Sequence, residues 1–240
     1  MEIVFLLLIL SGHVLSSPIK FTEGDIVLTP LQEENLYSPV LGRNGYISVN
    51  RRWPQRTLYY KFSPVITTSQ KNEILESFQY ISNVTCMQFK AATFVNKDYV
   101  FITNDNSGCW SHVGYISGVQ RLNLQSNGCM YHGTIVHETL HSLGFFHQQS
   151  ASNRDDYVKI LFENVSPGTE GNFKKYSSSV ISNYGFTYDY GSIMHYGRYY
   201  FSKNGLPTIT SKTSQGQNIG QREELSPIDI AKINKMYNCY

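Results

Sequence analysis

The chain has 240 residues, of which 41% are hydrophobic and 16% charged, and its formal net charge is +2. This length accommodates one domain, or one domain with two lobes, and the hydrophobic content is sufficient for a buried core. The composition excludes a disordered or fibrous chain. Because the basic residues form no dense run, nucleic-acid binding is not expected.

The N-terminus carries a short apolar run at residues 3–10, followed by the small residue Ser16. This run is too short to cross a bilayer as a helix, and no other run in the chain is long and apolar enough to do so. Glu2 stands where a signal peptide usually carries positive charge. We interpret residues 1–16 as a cleaved secretory signal, with a buried N-terminal strand as the alternative.

Residues 17–43 form a mildly acidic segment in which prolines recur, and they are predicted to be an irregular lead-in. The folded domain is placed at residues 44–240. Within it, the stretch TLYYKF at residues 57–62 predicts a first strand.

Residues 67–82 predict a helix with Thr68 or Ser69 as its cap. Four apolar side chains are expected to share one face of this helix: Ile74, Leu75, Phe78 and Ile81. Stretches rich in β-branched and aromatic residues then predict strands at residues 87–93, 99–105 and 114–125.

A second helix is predicted over residues 134–143, with Gly144 as the stop. Near the C-terminus, Ser226 can cap a closing helix, with Pro227 in its first turn and Asp229 completing a capping-box pattern. These elements predict an α+β fold with the sheet in the front half and an irregular back half closed by a helix.

The chain has four cysteines, Cys86, Cys109, Cys129 and Cys239. An even number in a secreted chain indicates disulfides, and all three possible connectivities are open. Asn83 and Asn164 begin sequons and are candidate glycosylation sites, although such triplets also arise by chance.

The stretch HETLHSLGFFH at residues 137–147 has the spacing of a metal site. On a helix, His137 and His141 are one turn apart, so their imidazoles project from one face and can share an ion. Gly144 permits a left-handed turn that ends the helix and brings His147 back to the same point. Three protein ligands with one open position are typical of catalytic zinc, so one Zn²⁺ per chain is predicted.

Glu138 lies beside the first of these ligands without binding the metal. It is the candidate general base, which takes a proton from a zinc-activated water and later passes it to the leaving amine. The shorter pattern HExxH also occurs by chance on polar helix surfaces, whereas the longer form with Gly144 and His147 favours a zinc hydrolase.

A second stretch, SIMHYG at residues 192–197, places a methionine in a tight turn. Together with GCWSHVG, NRDDYV and SPIDIAKINKMYNC, these motifs resemble the astacin family of zinc metalloendopeptidases, of the metzincin class, over residues 50–239. The resemblance implies a two-lobed domain with a mixed sheet and helices in the N-terminal lobe and a cleft between the lobes. It implies a secreted, monomeric endopeptidase that acts on proteins or peptides. It also implies two disulfides, Cys86–Cys239 and Cys109–Cys129.

The resemblance implies further roles. Met194 would form the hydrophobic floor of the zinc site, although an ordinary core methionine would be equally buried. Tyr196 would be an additional zinc ligand and would swing off to stabilise the oxyanion. Three residues would line the substrate cleft as an edge strand: Trp110, Ser111 and His112. We interpret His132 and His195 as structural.

The stretch EGDI resembles the aspartate switch of the family, in which Asp25 would occupy the open position on zinc and keep a precursor latent. A turn built on Gly-Asp is the alternative. Arg43–Asn44 is then the candidate activation site for a trypsin-like protease, with Arg51 and Arg52 as alternative cleavage positions.

Three positions depart from the family: Gln148, and downstream Ser150 and Asn153, which stand where the family typically has arginine and aspartate. Glutamate usually follows the third histidine and anchors the mature N-terminus, whereas this chain has the uncharged Gln148. Two rival interpretations are an inactive zinc-binding protein of the same fold, against which Glu138 argues, and a zinc hydrolase with non-peptide substrates.

Overall fold

The computed structural model describes residues 19–37 and 49–239. The predicted signal at residues 1–16 and the candidate activation site Arg43–Asn44 lie outside this part of the chain. Among the described helices, none combines the length and the apolar character that a bilayer crossing requires.

A six-stranded sheet organises the N-terminal lobe. Its strands are β1 (Ile26–Val27), β2 (Thr57–Phe62), β3 (Gln88–Ala91), β4 (Tyr99–Thr103), β5 (Cys109–His112) and β6 (Val119–Leu124). They lie in the order β1-β5-β6-β4-β2-β3, and all neighbours are parallel except the antiparallel pair β5–β6. The mixed sheet is confirmed. The strand predicted from residue 114 begins only at Val119, because Gly114 and Gly118 have positive φ values of 65° and 69° and form a turn.

Helix α2 (Thr68–Val84) begins one residue later than its cap, which is Thr67. The Thr67 side chain accepts a hydrogen bond from the backbone of Gln70, and the Gln70 side chain accepts one from the backbone of Thr67. The prediction of Thr68 or Ser69 as the cap is therefore wrong, because only Thr67 has a glutamine three residues later to complete the capping box.

The buried residues of α2 are Ile74, Ser77, Phe78 and Ile81. Leu75 is 38% exposed, so the prediction that it shares one face with Ile74, Phe78 and Ile81 is wrong. It follows Ile74 directly and therefore lies about 100° further round the helix, away from the sheet. The second helix of this lobe, α3 (His132–Leu143), packs on α2 and β5 and ends at Gly144 as predicted.

The C-terminal lobe contains short 3₁₀ turns, an antiparallel pair formed by β7 (Val158–Ile160) and β8 (Ile209–Ser211), and the closing helix α4 (Pro227–Met236). The predicted cap at Ser226 and its capping box with Asp229 are confirmed. This lobe has a core of its own, which includes Val158, Phe173, Tyr188, Tyr196 and Ile209. The separate core agrees with the two lobes that the sequence predicts.

The lead-in is more regular than predicted. Strand β1 pairs with β5, and residues Pro30–Tyr37 form helix α1. Leu36 packs in a buried cluster with Val113 and Phe146, while the Gln32 side-chain amide donates to the Val113 carbonyl at 2.9 Å. The prediction of an irregular segment is wrong here because these contacts with distant residues, which local sequence does not reveal, order the lead-in.

Both disulfides implied by the family resemblance are present. Cys86 and Cys239 have Cα atoms 5.5 Å apart, and those of Cys109 and Cys129 are 5.7 Å apart. The first disulfide ties the end of α2 to the C-terminus, and the second ties β5 to the segment before α3.

The two sequons lie in different surroundings. Asn83 is exposed near the end of α2, where its side-chain oxygen accepts from Gln79 at 2.7 Å. Asn164 is buried, and its amide nitrogen donates to the Pro207 carbonyl at 2.8 Å. Since a glycan would be attached to that nitrogen, the folded chain disagrees with Asn164 as a glycosylation site, whereas Asn83 stays a candidate.

Candidate metal centre

Helix α3 and the turn behind it position three histidines. His137 and His141 lie on one face of the helix and are buried. Gly144 has a φ of 111°, and the Phe145 backbone N–H donates to the Leu140 carbonyl at 3.0 Å. This left-handed end turns the chain back so that His147 approaches the other two imidazoles.

The three imidazoles converge on one point. The ring centroids of His137 and His147 lie 4.8 Å and 4.8 Å from that of His141, and 5.2 Å from each other. The Asp25 carboxylate of the lead-in lies at the same point, with oxygens 3.2 Å from Nε2 of His137, 3.4 Å from Nε2 of His141 and 3.2 Å from Nε2 of His147. One potential ligand atom from each of these four residues lies within 4.8 Å of all the others.

Each imidazole is oriented through its other nitrogen. Nδ1–H of His137 donates to the Ile193 carbonyl at 2.9 Å, and Nδ1–H of His141 donates to the Phe145 carbonyl at 2.7 Å. Nδ1–H of His147 donates to a carboxylate oxygen of Glu23 at 2.7 Å. Because all three Nδ1 atoms donate to protein oxygens, the three Nε2 atoms are the ones that point inward, and each can bind a metal ion in its unprotonated form.

The surroundings of these atoms fit a cation. Nε2 of His141 and one oxygen of Asp25 are buried without a hydrogen-bond partner among the described residues. Burial lowers the pKa of His147, but the charge of Asp25 and the hydrogen bonds that His147 donates to Asp25 and Glu23 outweigh burial and raise that pKa to about 9. Burial raises the pKa of Asp25, yet the charges of His147 and His141 hold it well below its usual range. Three imidazoles and one carboxylate are donors that suit zinc.

Glu138 lies beside this cluster without belonging to it. Its side chain is buried, and one carboxylate oxygen has no hydrogen-bond partner among the described residues. Burial, together with the charge of Asp25, raises the pKa of Glu138 well above its usual value. Such an unpartnered carboxyl group next to a metal site is available to exchange a proton with a bound molecule.

Comparison with known proteins agrees with this geometry. The profile of the peptidase family described as Astacin matches residues 46–238. The chain belongs to the astacin family. Zinc metalloproteinase nas-4 of Caenorhabditis elegans is 40% identical over 221 residues, which cover 92% of this chain and 70% of that protein. Blastula protease 10 of Paracentrotus lividus is 38% identical over 232 residues, which cover 90% of this chain but only 38% of that protein.

A solved structure supports the same assignment. High choriolytic enzyme 1, a hatching enzyme zinc-protease from Oryzias latipes, is 36% identical with a TM-score of 0.73, over 79% of this chain and 94% of that chain. The α+β fold is confirmed. As an astacin-family member the chain is a zinc metallopeptidase, and His137, His141 and His147 form a site that suits its zinc.

The two residues that the astacin resemblance adds to the site lie close to it. Met194 is buried, and its carbonyl accepts from the Gln148 backbone N–H at 2.9 Å. The Tyr196 ring lies 4.5 Å from that of His147. The Tyr196 hydroxyl donates to the Glu23 carbonyl, so in this structure the lead-in holds the phenol.

The residues predicted for the cleft lie on β5 and are covered by the lead-in. Trp110 and Ser111 are buried, and Nδ1–H of His112 donates to the Val27 carbonyl at 2.9 Å. In the sheet of the astacin domain itself β5 is the outer strand, and β1 of the lead-in pairs beside it in parallel. The backbone edge that would bind a substrate is therefore occupied by residues of the same chain.

The two histidines interpreted as structural lie outside the metal cluster. Nδ1 of His132 is 3.1 Å from the hydroxyl of Ser77 on α2. His195 is buried, where Nδ1–H donates to the Tyr196 carbonyl at 2.8 Å and Nε2 accepts from the Tyr188 hydroxyl at 2.7 Å. Both ring nitrogens of His195 are thus used within the protein, which suits a structural role.

Sequence reasoning missed two charged residues near the site. Glu23 belongs to the EGDI stretch, from which only Asp25 was predicted to act at the site, and its carboxylate two residues from Asp25 was the available signal. The second is Lys232, whose ammonium group donates to the Gln148 side-chain oxygen at 2.6 Å. Lys232 lies three residues after Asp229 and therefore on the same inward face of α4. A charged residue on that face was the signal in the sequence that could have pointed to a buried polar contact.

Proposed function

We propose that this chain is the latent precursor of a secreted endopeptidase, in which Glu138 is the general base and Asp25 blocks the metal centre. The main observation in support of this proposal is the position of the Asp25 carboxylate, 3.2–3.4 Å from the three imidazole Nε2 atoms. Secretion is supported by the apolar N-terminal run and by two disulfides, which persist in oxidising compartments.

His137, His141 and His147 would hold the zinc. When bound there, zinc supplies Lewis acidity, which polarises a peptide carbonyl and lowers the pKa of water. Glu138 takes the proton of the attacking water and delivers it to the leaving amine. Tyr196, once released from the Glu23 carbonyl, donates its hydroxyl proton towards the oxyanion of the substrate.

The substrate would be an extended segment of a protein or peptide. Once β1 has left, the backbone of β5 presents free hydrogen-bonding groups along the cleft, and an added strand can pair with them. Because backbone groups are common to all peptides, β5 provides binding without strong side-chain selection, and Trp110, Ser111 and His112 lie along it.

Latency would follow from two contacts of the lead-in. Asp25 offers an oxygen ligand at the point where water would otherwise bind, and β1 occupies the substrate edge of β5. Cleavage at Arg43–Asn44 by a trypsin-like protease would release the lead-in, with residues 1–16 removed earlier as a signal and residues 44–240 left as the active domain.

The uncleaved chain tests this proposal when the Arg43→Ala substitution blocks processing. We expect no peptide cleavage from this variant and partial cleavage from the double variant Arg43→Ala, Asp25→Ala, because the fourth position on the metal becomes accessible. The cleaved wild-type domain should hydrolyse a peptide library and lose activity with a chelator. If the double variant cleaves no more peptide than Arg43→Ala alone, latency would be assigned to steric blockage by β1 instead. A cleaved domain with zinc but no peptidase activity would favour a zinc-binding protein or a hydrolase of other substrates.

A further inference from the structure

We propose that Glu23 is a positioning residue for His147, and that the lead-in thereby strengthens zinc retention in the precursor. This inference rests on the proposed function, because it assumes that the lead-in is later removed. It concerns a different property, however, since metal retention can be measured on the intact chain without any peptidase activity.

The three histidines differ in which part of the chain supplies the acceptor for the Nδ1–H hydrogen bond. His137 and His141 donate to main-chain carbonyls of Ile193 and Phe145, which both belong to the astacin domain. His147 instead donates to the Glu23 carboxylate at 2.7 Å, and Glu23 belongs to the lead-in. One of the three orienting contacts is therefore lost when the lead-in leaves.

The hydrogen bond from His147 to Glu23 is also stronger than the hydrogen bonds that orient the other two histidines. The same carboxylate oxygen accepts from the His147 backbone N–H at 3.1 Å, so it clamps both the ring and the main chain of this residue. Both groups are buried. A hydrogen bond to a carboxylate is stronger than one to a carbonyl, and it makes the imidazole a more basic metal ligand.

The backbone around Glu23 is shaped for this contact. Glu23 has a φ of 51°, a left-handed conformation that is unfavourable for a residue with a side chain. Its carbonyl accepts from the Tyr196 hydroxyl, which fixes the peptide group from the other side. At Gly24, with a φ of 82°, an added Cβ would lie 2.7 Å from the Phe201 ring, so only glycine lets the chain pass here. The lead-in thus holds Glu23 against His147 while Asp25 reaches the centre.

Loss of such an orienting partner typically weakens metal affinity 10- to 100-fold. Zinc dissociation constants are measured by chelator competition on uncleaved chains, with Glu23→Ala compared to wild type. We expect a rise of about tenfold or more for Glu23→Ala. The matched control is Glu33→Ala, which removes a carboxylate from the same lead-in at its ion pair with Lys20 and should leave the constant unchanged. A rise of less than about threefold for Glu23→Ala would overturn the proposal.

Cleavage supplies an internal control. The Glu23→Ala and wild-type chains yield the same domain after removal of the lead-in, so their zinc constants must then coincide. If Glu23→Ala does not fold, Glu23→Gln decides: it keeps an acceptor oxygen without charge and should weaken zinc binding by an intermediate factor. An unchanged constant for Glu23→Gln would then reject the charge-assisted contact.

A spectroscopic measurement separates positioning from general stability. The Nδ1–H proton of His147 should give a downfield resonance in the uncleaved zinc-loaded chain that disappears in Glu23→Ala, while those of His137 and His141 stay. Persistence of all three would contradict the assignment. Failure of the latency proposal is recognised separately, as peptide cleavage by the uncleaved wild-type chain.

Discussion

At the scale of single residues, the site combines imidazoles that are oriented by hydrogen bonds with a carboxyl group that is not fully hydrogen-bonded. The imidazoles of His137 and His141 are held by main-chain carbonyls, so their orientation is a property of the backbone. Glu138 is buried yet retains an oxygen without a hydrogen-bond partner among the described residues. Fixed ligands beside an uncommitted carboxyl group are what proton transfer at a metal site requires.

Replacement of Glu138 tests its role as the base. After removal of the lead-in, Glu138→Ala should keep its zinc but lose kcat/KM by on the order of 10²- to 10⁴-fold, because the carboxylate that would accept the proton has been removed. Zinc content by atomic absorption and peptide hydrolysis are measured together. Glu76→Ala, on the exposed face of α2, is the control and should keep full activity. Near-normal turnover by Glu138→Ala would refute the mechanism.

His112 gives a pH dependence at the same scale. Burial lowers its pKa from 6.5, the nearby Arg121 lowers it further, and the hydrogen bond to Val27 opposes both. The unfolded chain therefore binds a proton near pH 6.5 that the folded chain, with its lead-in in place, takes up only at lower pH. The free energy of unfolding should fall as the pH drops below about 6.5.

Denaturant unfolding of the uncleaved chain at several pH values checks this expectation. His112→Gln should show a shallower decline below pH 6.5 than the wild type. Equal slopes for the two chains would show that other groups cause the acid sensitivity.

At the scale of elements, the end of α3 determines the metal centre. The Gly144 N–H donates to the His141 carbonyl at 2.8 Å, and the Phe145 carbonyl accepts from Nδ1–H of His141 at 2.7 Å. The turn that ends the helix therefore also orients the second ligand, and it sends the chain on to His147. The geometry of the three ligands depends on one left-handed residue.

Gly144→Ala tests this dependence. It should lower the free energy of unfolding by about 1–2 kcal/mol, the usual cost of a side chain in a left-handed conformation. It should also weaken zinc binding, because the new Cβ would lie 2.8 Å from the Met236 methyl group and displace the turn. Gly108→Ala is the matched control: its φ is 87°, but no atom lies within 4 Å of the new Cβ. Equal zinc affinities of the two variants would contradict a specific role for the turn.

At the scale of the whole molecule, segments that are distant in the sequence meet at the C-terminal end of α3. The Trp53 indole N–H donates to the Ser142 carbonyl at 2.8 Å, and the Tyr237 hydroxyl donates to the Leu143 carbonyl at 2.8 Å. The disulfide between Cys86 and Cys239 closes a separation of 153 residues and keeps this C-terminal segment in place. The last carbonyls of α3 are thus satisfied by both ends of the astacin domain.

The two disulfides should differ in their effect on stability. In the loop-entropy model, removing Cys86–Cys239 with paired alanine substitutions should cost about 5 kcal/mol, whereas removing Cys109–Cys129 should cost about 3 kcal/mol. Denaturant unfolding of the two double variants measures the difference. A larger loss from the shorter loop, with a separation of 20 residues, would show that local packing outweighs chain entropy.

Whether a feature could be predicted from the sequence depends on how far apart in the chain its interacting residues lie. The sequence alone determined the spacing of His137 and His141, the stop at Gly144 and the capping box at Ser226, because helix geometry and capping depend on neighbours within four residues. It was less reliable at Leu75, where the orientation of α2 towards the sheet decides which side chains are buried.

Only the tertiary structure decided what the lead-in does. Helix α1 has no strong local pattern and is ordered by the contacts of Leu36 and Gln32 with Val113, on a distant part of the chain. The partnership of Glu23 with His147 spans 124 residues, and that of Gln148 with Lys232 spans 84. Local periodicity carries no information about such pairs, since their geometry exists only after sheet, helix and lead-in have packed together.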